Sequence, residues 1–257
     1  MDTTGTGVQS VRRAALLMRL VAAAGERGAK TAALAESAGL TRPTVHRLLS
    51  TLRAEGLIDV DTVTQRWVPG PELYLMGMVA AARYDVAVHA RDIVRSLAAE
   101  TEESAFLSAR RGDETVCLVR EDGAFPIRSH VLYEGVRFPL GVASAGLAIL
   151  SVMPQNEIEA YFARGAAALE PWGPSHAEPA LRGRIAQTRA TGYAVNPGLL
   201  VEGSWGMGAA VFDKAGQPQW ALSITGIESR FAPERQPQLG RTLLEHAHAL
   251  SKRLRGR

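Results

Sequence analysis

Within ten positions, Thr41, Arg42, Thr44, His46, Arg47 and Ser50 combine short hydroxyls with guanidinium and imidazole groups. Such groups make hydrogen bonds to phosphate oxygens and to base edges in a DNA major groove. The apolar residues among them, Val45, Leu48, Leu49 and Leu52, recur at spacings of three and four. A helix over this stretch therefore buries one stripe and leaves Arg42, Pro43, His46, Arg47 and Ser50 outside. Thr41 is an N-cap residue type, Pro43 suits a first helical turn, and Gly56 ends the pattern.

A second kind of chemistry lies in Gly141-Val142-Ala143-Ser144-Ala145-Gly146. Small residues opening a helix leave backbone N–H groups uncovered, a seat for a carboxylate or other anion, to which Ser144 adds a hydroxyl. Further along, Met207, Ala209 and Val211 alternate with Gly206 and Gly208, and Leu222 and Ile224 alternate with Ser223 and Thr225. If the bulky residues share a core face, the opposite face offers space and hydroxyls for a ligand.

Catalytic patterns are poor. Ser144 lacks the first glycine of a nucleophile elbow, Gly206 and Gly208 have no third glycine of a dinucleotide fingerprint, and no phosphate loop occurs. The closest histidines, His246 and His248, sit two apart on a helix and face different ways, so no metal site is expected. Cys117, the single cysteine, lies between Val116 and Leu118 and reads as a packed apolar residue. The chain is read as a non-enzyme without cofactor.

The elements that position these groups fit a chain of 257 residues, long enough for two domains. No apolar leader precedes Arg12 and no run reaches membrane-spanning length, so a cytoplasmic protein without membrane contact is expected. The formal net charge is +3, and its distribution is uneven. Nine of the 29 Lys and Arg residues but six of the 26 Asp and Glu lie at or before Gly70, and twenty of each follow. The excess lies where a nucleic-acid partner needs it.

In chain order, Val11, Ala14, Ala15, Leu17, Met18 and Val21 place a helix over 10–24, and Thr31 caps a short helix over 32–38. Gly39 and Leu40 then turn into the stretch at Thr41, giving a helix-turn-helix. Short β runs at 57–60 and 66–68 form a wing with Gln65 and Arg66 near its tip. A linking helix follows over 71–78, then a helix over 87–99 with Val88, Ile93, Val94 and Leu97 apolar. Strands are expected at 105–109, 114–120 and 127–131, and helices near 144–153, 156–162 and 179–191. A hairpin over 206–213 and 219–226 and a closing helix over 239–254 complete an α+β domain around an antiparallel sheet.

These motifs resemble the IclR family of bacterial transcription regulators. Ser10-Val11-Arg12-Arg13, the stretch Leu40 to Leu49 and the wing close Trp67-Val68-Pro69-Gly70 carry the resemblance in the first part. In the second part it rests on Gly135 to Gly146, on Gly192-Tyr193-Ala194-Val195-Asn196 with Gly203 and Ala209 to Asp213, and on Ala221 to Gly226. The resemblance implies a winged helix-turn-helix over 10–70 after a disordered tail at 1–9. It further implies a linker helix over 71–84 that contributes to dimer contacts, and a GAF-like effector-binding domain over 85–257. Relatives often carry an acidic residue where this chain has Asn196 and a cysteine where it has Gly206. The departures imply a roomier, less charged pocket and a bulkier or more apolar effector.

The reading is a ligand-responsive regulator that binds a pseudo-palindromic operator in double-stranded DNA as a dimer or tetramer. Its expected DNA contacts are Thr31, Arg42, Pro43, Thr44, His46, Arg47, Ser50, Gln65 and Arg66. Its expected effector contacts are Ala143, Ser144, Ala145, Gly146, Asn196, Gly206, Gly208, Ser223 and Thr225, facing a small organic effector that bears a carboxylate. The alternative is a GAF-like small-molecule-binding or catalytic protein whose winged helix serves protein contacts.

Overall fold

The computed structural model describes residues 8–81 and 86–256, and the chain divides between Asp85 and Val86 into two compact units. The first unit begins with α1 (Gln9–Ala23), α2 (Thr31–Ala38) and α3 (Arg42–Ala54). A two-stranded antiparallel ribbon, β1 (Ile58–Val60) and β2 (Trp67–Pro69), and α4 (Pro71–Ala81) complete it. Leu17 and Val21 of α1, Leu34 and Ala35 of α2, and Val45, Leu49 and Leu52 of α3 close one small core with Ile58 and Trp67. Gly39 sits at φ +62 after α2, in the left-handed region open to glycine, and lets Leu40 N donate back to Ala35 O.

Some expectations for this unit are corrected. Val11 is 64% exposed, because the stripe of α1 that meets the core centres on Leu17 and Val21, with Ala14 and Met18 packed beside them. Thr31 is the first residue of α2, after Lys30 at the N-cap position, and its hydroxyl accepts from Trp67 Nε1 at 2.8 Å instead of capping the helix. Of the tail expected at 1–9, residues 1–7 lie outside the described residues and Gln9 already belongs to α1. Positions 82–84 of the expected linker also lie outside them.

The second unit is built on a six-stranded antiparallel sheet, in the order β5 (Arg137–Pro139), β4 (Glu114–Glu121), β3 (Ser104–Arg111), β8 (Pro218–Ile227), β7 (Ser204–Phe212) and β6 (Ala194–Pro197). One face carries α5 (Val86–Thr101) and α9 (Gln236–Arg255) over Ala105, Leu107, Met207, Ala209, Val211, Leu222 and Ile224. The other face, with Phe106, Cys117 and Ala221, is covered by α6 (Ser144–Val152), α7 (Gln155–Leu169) and α8 (Glu178–Thr191). The period of two along β7 and β8 thus sorts bulky residues to the α5/α9 side. Gly206, Gly208, Ser223 and Thr225 take the α6 side, where α6 can approach closely.

Two expectations fail here. Ile127–Val131 is not a strand: Ile127 is 57% exposed, and the strand that edges β4 is Arg137–Pro139. Val88 is 71% exposed, since the stripe of α5 runs through Val86, Ala90, Ile93, Val94 and Leu97. A buried ion cluster ties the start of β3 to the start of α9. The Glu103 carboxylate, 1% exposed, accepts from Arg230 Nε at 2.7 Å and from Arg235 Nη1 at 2.9 Å. Removing one side of such a cluster leaves a buried charge uncompensated, at a cost of about 3 kcal/mol or more.

Candidate nucleic-acid interface and effector pocket

On α3 the helical period turns Val45, Leu49 and Leu52 inward and leaves Arg42, Pro43, His46, Arg47 and Ser50 exposed. Thr41 occupies the N-cap position, yet its hydroxyl pairs with Thr44 Oγ1 at 2.9 Å and not with a backbone amide. Thr31, His46, Ser50, Arg53, Gln65 and Trp67 converge on a cleft of about 620 Å³ between α3 and the wing. In it the His46 ring stands edge-on to Trp67, 6.1 Å between centroids, and Ser50 Oγ lies 3.4 Å from His46 Nδ1. Arg42 instead lines a groove between α2 and the start of α3.

The wing turn is held by Asp61, whose carboxylate accepts from Thr64 N at 2.6 Å, Thr64 Oγ1 at 2.8 Å and Val63 N at 3.1 Å. The bonds from Thr64 lead in holding its pKa below the usual carboxylate value. Gln65 is exposed at φ +55, as the tip expectation has it. Arg66 is not at the tip. It is half-buried at the foot of β2 with Nη1 donating to Arg27 O at 3.2 Å.

In the second unit a small hollow of about 20 Å³ lies at the start of α6, lined among others by Ala143, Ser144, Asn196, Gly206 and Thr225. Three consecutive carbonyls leading into α6 are each held by a side chain from a different element. Tyr161 of α7 donates to Leu140 O, Arg184 of α8 to Gly141 O at 2.5 Å, and Asn196 of β6 to Val142 O at 2.7 Å. With its carbonyls drawn away, the chain enters α6 with the N–H groups of the first turn outside the helical ladder. Gly141 makes the turn possible: it sits at φ +85, and a Cβ there would lie 2.6 Å from the Leu181 side chain.

Four of the expected contacts do not reach the hollow. Ala145 and Gly146 are buried against neighbouring backbone, Gly146 facing Leu140 and Gly141. Gly208 is where α6 rests on β7, since a Cβ there would meet Ser144 O at 2.6 Å. The Ser223 hydroxyl is fully buried under the helix without a partner. Asn196 lines the hollow, but both ends of its amide are committed, Oδ1 accepting from Leu199 N at 3.0 Å. The Thr225 hydroxyl has no partner and faces the hollow.

Family models match both units: residues 10–62 match the IclR helix-turn-helix domain, and residues 78–252 match the bacterial transcriptional regulator IclR C-terminal domain. The chain belongs to the IclR family. It is similar to the HTH-type transcriptional regulator KipR of Bacillus subtilis (strain 168), 27% identical over 84% of this chain and 86% of that one. It is also similar to the glycerol operon regulatory protein of Streptomyces coelicolor, 29% identical over 96% of each chain. Among solved structures, the IclR transcriptional regulator from Alicyclobacillus acidocaldarius aligns with a TM-score of 0.75, 26% identity, and 96% and 98% of the two chains covered. The chain is a DNA-binding transcription regulator with an effector-binding C-terminal domain, and its relatives are regulators, not enzymes.

Sequence reasoning passed over several buried polar residues of the second unit. Arg184 is largely buried with Nε and Nη1 unpartnered, and burial brings its pKa down to about 10. His176 is fully buried beside it. Its Nδ1 lies 2.8 Å from Trp172 O and its Nε2 has no partner; burial, opposed by that carbonyl, holds its pKa below the ordinary value. The carbonyl that Arg184 holds lies 43 positions away, so no local pattern signals it. The Cys117 thiol is buried between strand neighbours and pushed up to about 12, chiefly by that burial. Among the described residues no group of His, Cys, Asp and Glu is placed to hold a metal.

Proposed function

We propose that this regulator binds a pseudo-palindromic operator as a dimer, or as a pair of dimers, and that a small organic acid bound beside Ser144 and Thr225 modulates that binding. The observation that carries the DNA side is the exposure of Arg42, His46, Arg47 and Ser50 on α3 while Val45, Leu49 and Leu52 are buried. Arg42, Thr44 and Arg47 contact the groove, His46 and Ser50 work with Gln65 from the cleft against the wing, and Thr31 and Arg66 support the backbone approach. Pro43 shapes the first turn.

The effector side is supported by the start of α6 at Ser144, the unpartnered Thr225 hydroxyl, and the lack of any acidic side chain lining the hollow. Asymmetric affinity is required: the acid changes operator binding only as far as it prefers one of the free and DNA-bound arrangements. Dimer formation is supported by α4, whose Tyr74, Leu75, Met76, Met78 and Val79 are all exposed. Among the described residues no helix is long and apolar enough to cross a membrane, which agrees with a cytoplasmic regulator.

The test is binding to the DNA upstream of its own coding region across a salt series. A steep fall of affinity with salt, in proportion to the phosphates neutralised, is expected. Affinity that is flat with salt, or equal for scrambled DNA, overturns the operator reading.

A further inference from the structure

The hollow at Ser144 has room for about one water molecule. An organic effector seated there must extend elsewhere. Directly beside it lies a cavity of about 730 Å³, within the size range of small-molecule sites. Val131, Leu200 and Ser204 line both spaces, so the two adjoin across these residues. The larger space is walled by the rings of Phe138 and Trp172, which meet edge to face at 5.4 Å, and by Val131, Leu200 and Ile227.

The partition is not braced by a ladder. Among the described residues no backbone amide from Ile127 to Glu134 donates to another backbone carbonyl. The tie across it is Ser129 Oγ to Ser204 Oγ at 2.6 Å, with Ser129 Oγ also 3.4 Å from Val131 N. On the inner side Thr225 is 5% exposed, and its Oγ1 has no partner, an arrangement that costs stability unless something accepts from it.

We propose that the hollow and the larger cavity are two halves of one site, built for an arylalkyl carboxylate. Its carboxylate takes the Thr225 hydroxyl and the hydroxyl and amide of Ser144, where α6 begins. Its flat apolar body passes between Val131 and Leu200 and lies against Trp172 and Phe138. A carboxylate suits the inner half because the Thr225 and Ser144 hydroxyls there can donate, and because the Arg184 guanidinium is buried behind Gly141 with, among the described residues, no carboxylate among its partners. An aromatic body suits the outer half because ring faces and aliphatic walls dominate its lining. This rests on the reading that the second unit binds an effector beside Ser144, and it adds the size and chemistry of that effector.

The test uses the full-length protein and three probes, 3-phenylpropanoate, propanoate and 3-phenylpropan-1-ol, followed by calorimetry and by tryptophan fluorescence. The phenyl acid is expected to bind about thirtyfold more tightly than propanoate, the gain from apolar burial of the ring. It should also exceed the alcohol by about tenfold and change the fluorescence. Trp172→Ala should remove about tenfold for the phenyl acid while leaving propanoate unchanged. Val201→Trp, which fills the outer half from a wall that the inner hollow does not share, should do the same and guards against misfolding of the first variant. Thr225→Val should weaken both acids alike.

Equal affinity for the two acids, with neither outer variant discriminating between them, overturns the two-part site while leaving an effector beside Ser144 in place. Tighter binding of the alcohol overturns the carboxylate half. Failure of all three probes overturns the proposal as a whole. Whether any other small acid shifts operator affinity then decides the effector reading separately.

Discussion

Arg47 lies on the exposed side of α3 two positions beyond the buried Val45, and among the described residues its guanidinium has no partner. Its loss therefore breaks no side-chain contact within the described fold. Arg47→Ala should weaken operator binding by about ten- to a hundredfold, the range of one lost base contact, as read by fluorescence anisotropy. Its folding stability should stay within about 0.5 kcal/mol of the parent, as for other exposed positions. A large drop in thermal midpoint would show that Arg47 supports the core. The α3 residues were legible because exposure there follows from a single helical period. Thr31 was legible only by type: its hydroxyl serves Trp67 from 36 positions away, a partnership no spacing rule contains. Arg184 and Tyr161 escaped notice for the same reason, since the carbonyls they hold lie 43 and 21 positions from them.

At the scale of elements, the decisive contact is α6 against β7. Gly208 allows it, because a Cβ would lie 2.6 Å from the Ser144 carbonyl oxygen, a backbone atom that cannot swing aside. Gly208→Ala should therefore destabilise the second unit by about 1 to 3 kcal/mol. Gly206→Ala, where the nearest atom is the Ser144 hydroxyl at 3.2 Å, should cost less, about 1 kcal/mol or under. Urea unfolding of the two variants checks this, and equal stabilities would mean that α6 is not seated by Gly208. Long elements were readable in the sequence, as α3, α9 and the β7–β8 pair illustrate. The edge strands β5 and β6 were not, since three or four residues carry no usable alternation. Ile127–Val131 misled because β-branched residues were read as strand, whereas Val131 packs on the core from irregular backbone and Ile127 stays in solvent.

For the whole molecule, the proposed dimer contact is α4. Tyr74 and Val79 are 68% and 78% exposed, on a helix apolar enough that water is a poor neighbour for it. Leu75→Glu together with Val79→Glu, four residues apart and so on one side of the helix, should shift the protein toward monomer in sedimentation. Operator affinity should fall more than tenfold with it, because two half-sites are then bound without their link. An unchanged dimer would remove α4 from the interface. The three braced carbonyls before α6 carry a different implication. Tyr161, Arg184 and Asn196 anchor the floor of the proposed site to three separate pieces of scaffold, while Val131, Leu200 and Trp172 stand on its walls. Evolution or an engineer can thus recast those walls for new compounds without rebuilding the floor, which makes this chain a natural starting point for a retunable biosensor.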